Sequence, residues 1–117
     1  MPRRSRDDYL RDALVAADKI VRWTEGQTLE SYAGDELLQS AVERQFDTFS
    51  EALRNASHID ESVAKHIPNL REIMGQRNIL THQYFGIEVP LVWSAVTVTL
   101  PLARDRVRRL LSGEERP

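Results

Sequence analysis

Cysteine is absent from the 117-residue chain, which excludes a disulfide scaffold, a thiolate-ligated zinc site and a cysteine nucleophile, and is compatible with a reducing compartment. Glycine and proline number only five each, so the chain is neither a collagen-like repeat nor a Pro/Gly-rich disordered segment. No apolar run approaches the roughly 20 residues of a membrane-spanning helix. The start, MPRRSRDDYL, carries positive charge with no hydrophobic region behind it, so no secretory leader is expected and the cytoplasm is the expected location. An excess of one charge is also missing: 16 basic residues stand against 18 acidic ones, for a net charge of −2. The field of the whole molecule therefore does not gather nucleic acid, and any such contact must come from a local patch. Two basic groups stand out, Arg3, Arg4 and Arg6 at the start and Arg104, Arg106, Arg108 and Arg109 near the end. Solvated helix surface and a frayed terminus account for both without a ligand. Gly-rich phosphate loops, a Ser/His/Asp constellation and an H-E-x-x-H string are missing as well.

With 41% hydrophobic and 29% charged residues, the composition is that of one globular domain, here taken as residues 1–117. Apolar residues recur with a period of 3.6, which indicates an all-α protein. Ser5 and Asp8 form a capping pattern, and Leu10, Ala13, Leu14, Ala17, Ile20, Val21 and Thr24 share one stripe before Gly26, which predicts a helix over about 6–25. A polar connection containing Tyr32 and Gly34 follows. Asp35 then caps a second helix whose stripe is Leu38, Ala41, Val42, Gln45, Phe49, Ala52, Leu53 and Ala56. Ser57, His58 and Asp60 read as a loop, Asp60 caps a short turn through Lys65, and Pro68 opens a third helix that runs to Gly86. The β-branched stretch Val96 to Thr99 alternates like a strand but has no other strand to pair with. It is therefore read as a short helix around 91–98, a bend at Thr99 and Pro101, and a last helix to Gly113. Four main helices and one short one pack most simply as an up-and-down antiparallel bundle.

The third helix carries the anomaly. In Arg71-Glu72-Ile73-Met74-Gly75-Gln76-Arg77-Asn78-Ile79-Leu80-Thr81-His82-Gln83-Tyr84, Arg77 falls on the apolar register, where a guanidinium is costly unless paired or solvated. Tyr84, seven residues on, shares nearly the same face, and Asn78 stands one turn before His82, where an amide can orient an imidazole. Arg77 and His82 are ~140° apart at ~100° per residue, so two copies of the helix could contribute to one site. An arginine that binds phosphate and a histidine that exchanges protons near neutrality are parts of a metal-independent ribonuclease. The same string would also arise from an arginine paired with Glu43 or Glu51 on the second helix, beside a core histidine and a core tyrosine.

The string Arg77 to Tyr84 resembles the R-x4-H-x-Y motif of HepT-like proteins of the HEPN superfamily, toxins of bacterial and archaeal toxin–antitoxin modules. The resemblance continues through Tyr9–Ala17, Leu38–Ala56, Phe85-Gly86, Val92-Trp93 and Thr99-Leu100-Pro101-Leu102, and covers about 7–112. It implies a HEPN-like helical bundle and a homodimer in which Arg77 and His82 of both protomers form a composite endoribonuclease site. Arg77 would bind the scissile phosphate, His82 would move the proton as the RNA 2′-hydroxyl attacks, and Asn78 would orient the site, with no metal or cofactor. The implied partner is an MNT-type nucleotidyltransferase antitoxin that transfers AMP to Tyr84, as in a type VII-like module. Two departures touch no proposed catalytic atom: Leu70 stands near a position often aromatic, and Gln83 where an acidic residue is common.

A HEPN module that only binds and partners a nucleotidyltransferase is a second reading, and a plain helical adaptor a third. His58 and His66 are eight apart with no third ligand at metal spacing, so no zinc site is expected. Trp23 and Trp93 read as packing residues. The apolar stripes exceed what one four-helix unit with a polar seam would bury, which points to a two-fold dimer with the third helix near its axis.

Overall fold

The computed structural model describes residues 4–67 and 88–113. All regular structure among them is helical: α1 (Arg6–Thr24), α2 (Leu29–Ala33), α3 (Glu36–Ile59), α4 (Ser62–His66), α5 (Glu88–Ser94), a π turn (Ala95–Thr99) and α6 (Leu100–Ser112). The third helix expected from Pro68 to Gly86 lies outside the described residues.

Capping residues set the boundaries much as the sequence predicts. At the start of α1, the Ser5 hydroxyl accepts from the Asp8 backbone N–H at 3.1 Å while the Ser5 N–H donates to the Asp8 carboxylate at 2.8 Å. These two bonds satisfy donors that a helix start leaves open. The Asp8 carboxyl is held below its ordinary range by the Ser5 backbone N–H foremost, then by the Ser5 side chain. Asp35 caps α3 through the Leu38 N–H at 3.0 Å. After α1 and α6 the backbone turns left-handed at Gly26 (φ 79°) and Gly113 (φ 76°), a conformation that a side chain would strain.

Three local expectations need correction. The connection around Tyr32 is not a polar loop: Thr28 and Ser31 form a reciprocal capping box that starts α2, and Tyr32 is buried. Ser57 and His58 are still helical, because α3 runs to Ile59 and the Asp60 N–H donates to the Ala56 carbonyl at 3.0 Å. Nor is there a bend at Thr99 and Pro101. An α-helical Pro101 would lack the N–H to meet the Thr97 carbonyl and would press its ring against it. Widening the preceding turn avoids that clash. The Leu100 N–H reaches back five residues to the Ala95 carbonyl, and the helix continues with right-handed dihedrals at Thr99 and Leu100.

α1 runs antiparallel to both α3 and α6. Arg6, at its start, donates to Asp60 just beyond α3 at 3.2 Å and to the Leu110 carbonyl near the end of α6 at 3.4 Å, while Asp18, further along, meets Arg104. Burial of Arg6 is offset by Asp7 first and then by Asp60, and the Asp60 carboxyl is held low by the Ser62 hydroxyl foremost, then by the Ser62 N–H and Arg6. The core between the helices is Leu10, Ala13, Ala17 and Ile20 from α1, Val42, Phe46, Phe49 and Leu53 from α3, and Leu100, Ala103, Val107 and Leu110 from α6. Alanines on α1 let the helices approach closely, and the Phe46 and Phe49 rings meet edge to face at 6.4 Å. Phe46 lies off the stripe assigned from periodicity, yet is fully buried.

At the end of the bundle where α3 begins, α2 crosses to α5. The Tyr32 ring lies 5.1 Å from Trp93, and Gln39 ties down the α2 carbonyls of Tyr32 and Ala33 at 2.8 and 3.0 Å. The Tyr32 hydroxyl is buried and finds no hydrogen-bond partner among the described residues. Burial first, and then the charge of Glu43, push its pKa up, so it stays protonated. A buried hydroxyl without a partner costs roughly 1–3 kcal/mol. Tyr32→Phe is therefore expected to stabilise the fold by about 1 kcal/mol, read as a higher urea midpoint with an unchanged denaturant slope. A lower midpoint would show that the hydroxyl is held by a bond.

Candidate functional site

Arg77, Asn78, His82 and Tyr84 lie outside the described residues, as does Arg3, so the described structure places the scaffold and the other candidates. Among those, Glu43 is half-buried and Glu51 exposed, on α3. With Asp47 they follow the i, i+4, i+8 spacing that puts three carboxylates on one side of a helix. The pairing of Glu43 or Glu51 with Arg77 concerns a residue outside the described set. His58 is exposed in the last turn of α3 and His66 half-buried in that of α4. Among the described residues no group of three or more metal-binding side chains comes together. Trp93 packs on Tyr32 as expected of a packing residue, and Trp23 is half-buried.

The two basic groups differ in a way the sequence does not reveal. The N-terminal arginines are matched by acids: Arg4 meets Asp12 at 2.7 Å and lies over the Tyr9 ring at 4.8 Å, and Arg6 meets Asp7 at 3.0 Å and Asp60 at 3.2 Å. On α6, Arg109 pairs with Asp105 one turn away at 3.2 Å, and Arg106 is exposed. Arg104 and Arg108 both turn to α1, where they share a single oxygen, Oδ1 of Asp18, at 3.3 and 3.4 Å. Two guanidiniums on one carboxylate leave a net positive charge at the α1–α6 seam. Asp18 attracts no attention in the sequence, because its meaning depends on residues 86 and 90 positions away. The only available signal is the i, i+4 spacing of Arg104 and Arg108, which sets both on one side of their helix.

No helix among the described residues is long and apolar enough to cross a membrane. A model of the family described as "Ribonuclease HepT-like" matches residues 13–110. The chain is 31% identical over 108 residues to a protein of Thermococcus cleftensis named "Probable ribonuclease HepT", covering 92% of this chain and 97% of that one. Two proteins of Methanocaldococcus jannaschii are similar as well. The one named "Putative RNase MJ1380" is 29% identical over 109 residues (92% and 97% of the two chains), and "Putative RNase MJ1216" is 27% identical over 115 residues (98% and 94%). No solved structure matches the chain. A helical bundle whose R-x4-H-x-Y string and core residues, Leu10 apart, fall within one matched span leads to a single assignment: the chain belongs to the HepT-like ribonuclease family.

Proposed function

We propose that this protein is a cytoplasmic endoribonuclease toxin of a two-gene toxin–antitoxin module, active as a homodimer and independent of metal. The observation that carries the reading is the family match over 13–110, which contains Arg77, Asn78, His82 and Tyr84 in their motif order. Arg77 supplies a permanent, bidentate charge for the scissile phosphate, in a residue type that cannot be deprotonated in proteins. His82 accepts the proton of the RNA 2′-hydroxyl, whose oxygen forms a bond to the adjacent phosphorus as the bond to the 5′-oxygen breaks. A proton delivered to that 5′-oxygen completes the step and leaves a cyclic phosphate. Asn78, four residues before His82, holds the imidazole in the tautomer that the reaction needs. Because the nucleophile belongs to the substrate, no metal-bound water and no cofactor are called for.

The partner is an MNT-type nucleotidyltransferase antitoxin. Transfer of AMP joins the Tyr84 phenol oxygen to the nucleotide's α-phosphorus as pyrophosphate leaves, and sets a bulky anion seven residues from Arg77 in the sequence. A non-catalytic HEPN module would bind RNA or the nucleotidyltransferase without cutting. Incubation of purified protein with RNA in excess EDTA separates these readings: cleavage that persists supports the nuclease, and activity lost on chelation and restored by Mg²⁺ contradicts it.

A further inference from the structure

The α1–α6 seam holds an arrangement that neither packing nor the reaction at Arg77 and His82 accounts for. Asp18 is the sole ion-pair partner of Arg104 and of Arg108 among the described residues. Both guanidiniums approach the same oxygen, at 3.3 and 3.4 Å, well beyond the ~2.7–2.9 Å of a well-formed charge-assisted bond. Each guanidinium carries five N–H donors, so one shared oxygen leaves most of them to solvent. The residues are accessible: the Arg108 side chain is 52% exposed, that of Asp18 41% and that of Arg104 23%. Arg22 is exposed on α1 one turn beyond Asp18 and has no ion-pair partner among the described residues, which extends the positive charge. Elsewhere on the described surface, Arg4, Arg6, Arg11 and Arg109 each meet an acid of their own, whereas Arg44, Arg54 and Arg106 have no ion-pair partner among the described residues.

This is a poorly satisfied ion pair of the kind that a better anion displaces. A phosphodiester shares its single negative charge between two non-bridging oxygens and, unlike a carboxylate fixed on α1, can settle so that each guanidinium has its own acceptor, whereas Asp18 makes them share Oδ1. We propose that Arg104 and Arg108 bind a backbone phosphate of RNA at the α1–α6 seam, and that Asp18 is the internal carboxylate which this phosphate displaces. The proposal rests on the ribonuclease reading above and adds to it a second phosphate contact, carried by residues of α6 outside the motif. Asp18 then acts as a competitor that keeps affinity moderate, since a surface pair of this kind contributes roughly 0.2–1 kcal/mol.

The test is binding of the full-length protein to a short, fluorescently labelled 2′-O-methyl oligonucleotide, which cannot be cleaved by 2′-hydroxyl attack, measured across a salt series. Each phosphate neutralised on a single strand contributes about −0.7 to the slope of log K against log salt. The double variant R104Q/R108Q is expected to bind more weakly and to lose about 0.7 from that slope, the share of one phosphate, with R104K/R108K restoring most of it. Asp18→Asn is expected to act in the opposite direction, tightening binding by roughly 1.5- to 5-fold. Because Asp18→Asn gains affinity, a loss through misfolding cannot imitate the result. Affinity and slope left unchanged in R104Q/R108Q overturn the proposal, as does an Asp18→Asn protein that binds more weakly. Unchanged oligonucleotide binding together with lost capture of the nucleotidyltransferase would show a protein-docking surface and overturn it equally. Cleavage of ordinary RNA by the wild type keeps the two claims apart: if it persists while the seam variants are silent, only the seam proposal fails.

Discussion

Arg77→Ala and His82→Ala are each expected to lower RNA cleavage by about 10²–10⁴-fold and to abolish toxicity, with helical content and unfolding midpoint close to wild type. The magnitude follows from the proposed roles. A positioned general base contributes in that range, and a charge aimed at the phosphate stabilises the transition state by several kcal/mol where water is excluded. Retention of the fold matters as much as loss of activity. If Arg77 were instead a structural cation paired with the half-buried Glu43 or the exposed Glu51, its truncation would leave that carboxylate without this partner and lower the unfolding midpoint. Circular dichroism and urea unfolding beside the cleavage assay therefore decide the matter. An Arg77→Ala protein that unfolds, together with a fully active His82→Ala protein, assigns the pair to packing.

Tyr84→Phe is expected to remain toxic, or nearly so, when the nucleotidyltransferase is co-expressed, whereas the wild type is neutralised. The phenylalanine variant keeps the ring and loses only the oxygen that would receive AMP. On the wild type the proposed adduct would add bulk and negative charge seven residues from Arg77 in the sequence, and would both block the RNA phosphate and occupy the guanidinium. Intact-mass measurement of the co-expressed protein should find one or more AMP units, mapped by peptide analysis to Tyr84. Protection without any adduct on Tyr84 would show that the antitoxin works by covering the site.

The helical elements were legible where local chemistry decides them. Ser5 with Asp8, Asp35, Gly26 and Gly113 are signals contained within four residues of the boundary they set, and the structure follows them. What was not legible depends on contacts across the chain. Tyr32 reads as a loop residue because Trp93, which covers it, is 61 residues away. Phe46 lies off the predicted stripe but is buried, since α3 is packed on more than one side and its apolar arc is wider than a single-seam reading allows. The stretch Val96 to Thr99 defeats the α-helix template because Pro101 is accommodated by a turn of different period rather than by a break. Of the candidate site, the motif residues were visible as a polar string on an apolar register, whereas Asp18 with Arg104 and Arg108 exists only once α1 and α6 are side by side.

The chemistry of the cut ends separates attack by the RNA's own hydroxyl from attack by water. RNA digested by the purified wild-type protein in the presence of EDTA should carry 2′,3′-cyclic phosphate on the upstream fragment and a free 5′-hydroxyl on the downstream one, because the attacking oxygen is the substrate's own. A 3′-hydroxyl facing a 5′-phosphate would mean that water was the nucleophile, and would contradict the roles assigned to Arg77 and His82.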